Sequence, residues 1–238
     1  MGVSRETVAE TVRRFPIADP DAAIAAVERL LEALAAEPDP PTTVRAPREA
    51  LDIHVADSLA GLEAPALRAA ERIADLGAGA GFPGLVLAAA LPGARVDLIE
   101  STRRKCEVIE RLAEAAGLAG RGRAVPARAE EWARTQGASA YDAVTARALA
   151  PLSVICEYAA PLLRVGGTLV AWKGARQADE EASGARAAAQ LGLGAPEVIA
   201  VTPYRGSRNR HLYVYSKVME TPEQYPRRAG AAAKRPIA

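Results

Sequence analysis

A glycine-rich segment at residues 72–84, RIADLGAGAGFPG, has the spacing of a loop that binds a nucleotide-like cofactor. The segment matches two patterns. Gly79, Gly81 and Gly84 fit GxGxxG, the dinucleotide fingerprint, which is a weak signal when it stands alone. Gly77, Gly79 and Gly81 fit GxGxG, the pattern of a loop that binds S-adenosylmethionine. The two cofactors differ in charge, because only the dinucleotide carries a pyrophosphate.

Two residues beside the loop favour S-adenosylmethionine. Pro83 stands where the first turn of the next helix is expected, and proline has no N–H to donate to a pyrophosphate. Asp75 would repel phosphate, whereas its carboxylate would favour the cationic methionine end of S-adenosylmethionine. Glu100 ends the next apolar run, and we expect it to accept hydrogen bonds from both ribose hydroxyls of either cofactor.

Alternating short strands and helices begin at Arg72 and would carry this loop to the edge of a parallel sheet. Two later strand candidates, EVIAVTPY and HLYVYSKV, are joined by RGSRNR, which is too short for a crossover helix and predicts an antiparallel pair. We therefore predict an α/β fold with a seven-stranded, mostly parallel sheet. The five parallel candidates are RIADLG, ARVDLIE, GRAVPA, YDAVTAR and GTLVAWKG.

The chain is expected to have three parts. Residues 1–65 read as a helical N-terminal extension, since DAAIAAVERLLEALAA has apolar residues at helical spacing and Asp19 or Asp21 can cap it. REALDIHVADSLAGL predicts a second helix in the same part. Residues 66–219 would form the cofactor-binding domain, and the proline-rich and basic residues 220–238 an irregular tail.

Composition excludes several classes of protein. The apolar runs are too short to cross a bilayer, so we expect no membrane segment and a cytoplasmic location. Cys106 and Cys156 are the only cysteines, which excludes a zinc knuckle and a disulfide framework, and we expect both to be buried and no metal to be bound. Residues 203–238 carry eight Lys or Arg and two Glu, and this net charge of +6 predicts an anionic partner, nucleic acid first.

Six motifs together resemble the ribosomal RNA small subunit methyltransferase G family, formerly called glucose-inhibited division protein B. They are IADLGAGAGFPGLVLA, LIESTRRKCEVIERLAEAAGL, ARAEEW, YDAVTARALAPL, GGTLVAWKG and YPRRAGAAAKRP. The resemblance runs from about Ala46 to the C-terminus and includes HVADSL (residues 54–59), whereas AAEPDPPTTV departs from the family pattern. It implies a class I, Rossmann-like methyltransferase fold and methylation of N7 of one guanine in 16S ribosomal RNA by S-adenosylmethionine. The cofactor contacts that it implies fall on Gly77, Phe82, Ala129, Glu130 and Arg147.

The residues agree with N7 chemistry. Methylation of an exocyclic amine usually needs a D/N-PP-Y/F tetrapeptide after the fourth strand, where this chain has Thr145-Ala146-Arg147-Ala148. Methylation of cytosine C5 needs a nucleophilic cysteine, and neither cysteine stands at that strand end. Guanine N7 carries a lone pair and loses no proton, so it requires placement and no general base. We therefore predict no catalytic acid or base and a positioning role for Arg147, whose alternative role is an ion pair with Glu130.

The expected partner is 16S ribosomal RNA or the precursor of the small ribosomal subunit, bound by a monomer. The candidate RNA contacts are basic residues from two places. Arg103, Lys105 and Lys173 lie near the ends of predicted strands, and Arg205 and Arg210 belong to the basic C-terminal region. Two alternatives stay open. An NAD-dependent oxidoreductase would need a proton-relay pair such as Tyr-x-x-x-Lys on a helix after the fourth or fifth strand, and the sequence shows none there. A non-catalytic RNA-binding protein would share the fold without turnover, and the intact glycine triplet argues against it.

Overall fold

A computed structural model describes residues 2–44 and 46–237, and its centre is a seven-stranded sheet. The strands are β1 (Arg72–Leu76), β2 (Arg95–Glu100), β3 (Gly122–Pro126), β4 (Tyr141–Arg147), β5 (Leu163–Lys173), β6 (Glu197–Val201) and β7 (Arg210–Ser216). The order is β3-β2-β1-β4-β5-β7-β6, with β1 to β5 parallel and β7 antiparallel to both of its neighbours. The predicted parallel sheet with a terminal antiparallel pair is confirmed.

Both faces of the sheet are covered, which explains why the central strands are nearly continuous apolar runs. In β1, Ile73 belongs to one buried cluster and Ala74 to the other, as the two-residue period of a strand requires. The main helices are α1 (Arg5–Val12), α2 (Pro20–Ala36), α6 (Gly84–Ala90), α7 (Arg103–Ala115), α8 (Ala129–Trp132), α9 (Leu152–Ala159) and α10 (Ala178–Gln190). In the described part of the chain, no helix has the length and hydrophobicity needed to cross a bilayer.

The N-terminal helices pack on the sheet domain. Asp19 caps α2 through Ala22 N–H, and Ile24 and Leu30 are buried in the same cluster as Leu85 of α6. The second predicted helix is an irregular run: α3 (Pro47–Ala50), a π-helix (Leu51–Ala56), α4 (Asp57–Leu59), a 3-10 turn (Ala60–Glu63) and α5 (Pro65–Arg68). The boundary at residue 65 stays a prediction about domain organisation, since side chains from both sides of it share one core.

The C-terminal segment lies against the sheet domain and is less irregular than expected. It contains α11 (Ala231–Lys234), and Ile237 and Tyr225 pack on the cluster under α9 and α10. Arg227 Nε donates to Glu157 Oε1 at 2.8 Å, and Arg134 donates to the Pro226 carbonyl at 2.6 Å. At least one cation of the basic tail is therefore used inside the protein.

We expect Arg227→Ala to lower the free energy of unfolding by about 3 kcal/mol, because it leaves a buried carboxylate without its cation. Glu157 is only 1% exposed, while Arg227 is partly exposed, so the effect should fall at the low end for a buried pair. Arg228→Ala is the matched control, since Arg228 is exposed and should change stability by less than about 0.5 kcal/mol. Urea denaturation of both variants checks this, and equal midpoints would show that the ion pair contributes nothing.

Candidate active site

The glycine loop between β1 and α6 is tied to the end of β2. Gly77 N–H and Ala78 N–H both donate to the Ile99 carbonyl, at 2.9 and 3.3 Å. Gly77, Gly79 and Gly81 have φ angles of 62°, 58° and 94°, in the left-handed region that glycine occupies without strain. The GxGxG spacing thus reflects three backbone positions that disfavour a side chain.

Asp75 is fully buried and closes the start of α6 from inside the protein. Its carboxylate accepts from Gly84 N–H at 2.9 Å and from the Thr145 hydroxyl at 2.8 Å. Burial raises the pKa of Asp75 to about 6, against the effect of these two donors. The expectation that Asp75 meets a cofactor directly finds no support in this position. Its bond to Gly84 instead occupies the first N–H of α6, which a pyrophosphate would need.

Glu100 stands at the end of β2 beside a cavity of about 200 Å³, called here the Glu100 cavity. Its two carboxylate oxygens accept from Thr102 N–H at 2.8 Å and from Gly79 N–H at 3.2 Å. Four of the predicted cofactor residues line this cavity: Gly77, Glu100, Ala129 and Glu130. Leu149 and Tyr158 also line the cavity, and the sequence alone does not single out either of them. Predicted cofactor residues from the ends of β1 and β2 and from α8 therefore meet at one cavity, whose lining does not include Gly79, Gly81, Phe82 or Arg147.

Glu130 also contacts the C-terminal segment. Its Oε1 accepts from Gly230 N–H at 2.8 Å, so the tail reaches the wall of the Glu100 cavity. Glu130 was the alternative partner for Arg147, and this interpretation is wrong for the described structure: the Arg147 carboxylate partner is Asp57, and a backbone N–H occupies Glu130.

A second cavity of about 330 Å³ lies at the ends of β4 and β5 and is called here the Arg147 cavity. Its lining includes Asp57, Arg147, Leu149, Trp172, Lys173 and Arg210. Ala148 also lines it and has a φ of 52°, a conformation that costs energy for a residue with a side chain. Leu149 lines both cavities, so the two are neighbours across one residue.

Arg147 connects this edge of the sheet to the N-terminal helices. Its Nη1 donates to Asp57 Oδ2 at 3.0 Å and to the Ile53 carbonyl at 2.8 Å. Trp172 Nε1 donates to the Asp57 carbonyl at 2.8 Å, which ties the end of β5 to the N-terminal helices. Asp57 directly follows the π-helix, which ends at Ala56. Such π-helical turns are frequent at functional sites.

Phe82 packs behind the glycine loop, against His54. The two rings stack with centroids 4.4 Å apart and an interplanar angle of 7°. His54 Nε2 lies 2.9 Å from the Thr42 hydroxyl, and burial, with the positive charge of Arg147, lowers the pKa of His54 to about 4. The Phe82 side chain is therefore used for packing between the loop and the π-helix.

We expect His54 to stay neutral down to about pH 5, where an ordinary histidine is charged. Because the unfolded chain takes up this proton near pH 6.5 and the folded chain only near pH 4, stability is lost as pH falls through that interval. Protonation of Asp75 between about pH 6 and pH 4 favours the folded state and partly offsets this loss of stability. The titration of the His54 imidazole itself is therefore a clearer test than the pH dependence of stability. NMR titration of the chain's two histidines, with His54→Gln to assign the signal, checks this. A midpoint near 6.5 would contradict it.

The five candidate RNA contacts fall in different surroundings. Lys173 and Arg210 line the Arg147 cavity, and Lys173 Nζ lies 2.6 Å from Glu180 Oε1. Lys105 Nζ lies 3.8 Å from Glu100 Oε2, beside the other cavity. Arg103 and Arg205 are exposed, Arg103 at the start of α7 and Arg205 in the connection between β6 and β7. Three of the five thus lie at the two cavities, Arg103 and Arg205 line neither, and the five do not form one cluster.

Asp57 is the main site residue that sequence reasoning missed. The segment HVADSL contains Asp57, but no sequence rule pairs Asp57 with a residue 90 positions away. Cys106 and Cys156 are both free and buried, as expected. Within residues 2–44 and 46–237, no three His, Cys, Asp or Glu side chains are grouped as a metal site would require.

Comparison with known proteins identifies the family. A family model described as rRNA small subunit methyltransferase G matches residues 41–212. The ribosomal RNA small subunit methyltransferase G of Rubrobacter xylanophilus is 46% identical over 197 residues, covering 81% of this chain and 75% of that protein. Its counterpart from Symbiobacterium thermophilum is 37% identical over 203 residues, covering 82% of each chain.

Solved structures agree on the fold. A SAM-dependent O-methyltransferase from Thermotoga maritima superposes with a TM-score of 0.57 at 16% identity, covering 82% of this chain and 73% of that one. At this identity the likeness concerns the fold, and it confirms the predicted methyltransferase architecture. The matches over most of the sequence go further: this chain belongs to the ribosomal RNA small subunit methyltransferase G family.

Proposed function

We propose that this chain transfers a methyl group from S-adenosylmethionine to N7 of a guanine in 16S ribosomal RNA. The observation that carries the proposal is the adjacency of the Glu100 and Arg147 cavities across Leu149, at the carboxyl edge of the sheet. Ligands of open α/β sheets bind at this edge. A group transfer needs two binding sites in contact, and membership of this family supports an rRNA as the acceptor.

The residues around the Glu100 cavity fit S-adenosylmethionine. Each Glu100 oxygen accepts one backbone N–H and keeps a lone pair, so the carboxylate can also accept from ribose hydroxyls. A Cβ added at Gly79 would come no closer than 3.8 Å to a protein atom, so a ligand can approach this backbone. We assign Gly77, Gly79, Gly81 and Glu100 to the ribose and methionine parts, and Ala129 and Glu130 to the adenine. Phe82 would act by supporting the loop.

The chemistry asks little of the side chains. When bound, S-adenosylmethionine would supply an electrophilic methyl carbon: the N7 lone pair forms the new N–C bond while the S–C bond breaks and its electron pair stays on sulfur. Positive charge moves from sulfur to the purine, and no proton leaves N7. The side chains at the Arg147 cavity therefore need to orient the base, and we assign Arg147 to positioning.

The basic residues around both cavities are proposed to hold the RNA backbone. Arg103 and Arg205 are exposed and can meet phosphates directly, although Arg103 Nε also lies 3.5 Å from Glu107 Oε1. Lys105, Lys173 and Arg210 are less exposed, and each lies near a carboxylate. The substrate would be 16S rRNA or a small-subunit precursor, which implies a cytoplasmic protein. A monomer is supported by the few large apolar side chains exposed among the described residues: Val165, Val218 and Met219.

The decisive experiment uses 16S RNA and small ribosomal subunits with methyl-labelled S-adenosylmethionine. We expect label in the RNA and strand scission by aniline at a single 7-methylguanosine. One control is a parallel reaction without RNA. A second control compares the binding of labelled NAD with the binding of labelled S-adenosylmethionine. RNA binding without label transfer would support a non-catalytic RNA-binding protein, and NAD binding would support an oxidoreductase; either result would overturn the proposal.

A further inference from the structure

We propose that Asp57 selects guanine as the target base, by accepting a hydrogen bond from its 2-amino group through Oδ1. The inference rests on the proposed function and names the residue that would read the base in the Arg147 cavity. Three features of Asp57 carry it: its burial, a free acceptor atom and its place in the cavity wall.

The carboxylate of Asp57 is only half satisfied. Its side chain is 7% exposed, and Oδ2 accepts from Arg147 Nη1 at 3.0 Å. Oδ1 is buried and accepts no hydrogen bond from residues 2–44 or 46–237. Arg210 Nε lies 4.0 Å from Oδ1, which is within ion-pair range but too long for a hydrogen bond. A buried charged acceptor without a donor is costly, and Asp57 is a residue that lines the Arg147 cavity, so a donor on a ligand bound there could complete its hydrogen bonds.

The backbone around Asp57 holds this atom in place. Its carbonyl accepts from Trp172 Nε1 at 2.8 Å, and Arg147 also grips the Ile53 carbonyl one turn earlier. Asp57 follows directly on the π-helix, whose wider turn shifts its position on the helix. Oδ1 therefore belongs to a fixed side chain of a residue that lines the Arg147 cavity. Specificity built on such an acceptor is strong because the wrong ligand leaves it unpaired.

Guanine is the base whose chemistry fits. Its Watson–Crick edge presents N1–H and the 2-amino group side by side as donors, whereas adenine has an acceptor at N1 and no amine at C2. Unstacked RNA bases are commonly read on this edge. N7 lies on the opposite edge of the purine, with O6. A guanine held at Asp57 by its 2-amino group thus leaves N7 free to react, which a contact to the N7 edge would not.

Replacing the target guanosine by inosine tests this contact, because inosine lacks only the 2-amino group. Once the methylated guanosine has been mapped, we expect kcat/KM of the wild-type protein to fall by about 10- to 150-fold on the inosine RNA. Asp57→Asn should lower kcat/KM on guanosine by a similar factor and reduce the guanosine-to-inosine ratio to below about threefold. A merely structural role of Asp57 would lower both rates and leave the ratio unchanged.

Asp52→Asn is the matched control. Asp52 lies in the same irregular helix, paired with Arg48 at 3.6 Å, and lines neither cavity, so this variant should keep the wild-type ratio. The inference is overturned if the wild-type protein methylates both RNAs equally, a measurement that needs no folded variant, or if Asp57→Asn keeps the full preference. Absence of 7-methylguanosine on unmodified RNA would overturn the proposed function and this inference with it. Efficient methylation without preference would overturn the inference alone.

Discussion

Gly79→Val is expected to reduce the affinity for S-adenosylmethionine by more than about 100-fold while the protein stays folded. Gly79 has a φ of 58°, and no protein atom would lie within 3.8 Å of an added Cβ. The substitution therefore strains one residue and points a branched side chain into the open space above the loop. It would also disturb the N–H that bonds to Glu100 Oε2 at 3.2 Å. Isothermal calorimetry measures the affinity, and a melting curve verifies folding.

Gly206→Val provides a control for backbone strain. Gly206 also has a positive φ, 89°, and nothing lies within 4 Å of an added Cβ, but it belongs to the connection between β6 and β7. Both variants should lose a similar amount of stability, of order 1–2 kcal/mol. Only Gly79→Val should lose the cofactor. Unchanged affinity in a folded Gly79→Val protein would remove the loop from the proposed cofactor site.

The sheet could be predicted from sequence because its signals are local. Short apolar runs separated by helical segments set strand number and direction, and the short RGSRNR connection set the antiparallel pair. Boundaries are less exact: the strand candidate GTLVAWKG begins at Gly167, whereas β5 already begins at Leu163. The glycine loop was found for the same local reason, since three left-handed positions need three glycines.

The contacts between distant residues could not be predicted. Arg147 meets Asp57 across 90 residues, and Glu130 meets Gly230 across 100, and no spacing rule connects them. Charge counting also had a limit in the tail, where Arg227 neutralises the buried Glu157 instead of extending a free basic surface. A net charge does not show which cations are already paired. The structure is needed to separate the cations of the C-terminal region that are free to meet RNA from those that are paired within the protein.

Arg147→Met is expected to lower kcat/KM for RNA methylation by at least about 100-fold, because the orientation of the base site depends on this guanidinium. Arg147 holds both Asp57 Oδ2 and the Ile53 carbonyl, and the side chains of the pair are 13% and 7% exposed. Removal leaves the Asp57 carboxylate buried without its close cation, which should also cost about 3–5 kcal/mol of stability. Arg164→Ala breaks a pair in which Arg164 is exposed and Asp142 keeps two backbone N–H donors, so it should cost no more than about 1 kcal/mol and leave the activity unchanged.

Combining Arg147→Met with Asp57→Asn separates stability from activity. The double variant no longer buries an uncompensated charge, so we expect it to regain most of the stability that Arg147→Met loses. The activity should not return, since the double variant lacks both the positioning cation and the carboxylate of the base site. Urea denaturation and methyl transfer from labelled S-adenosylmethionine, measured on all three variants, give the two quantities. Recovery of activity together with stability would show that Arg147 acts only on folding, and near wild-type turnover in Arg147→Met would contradict its positioning role outright.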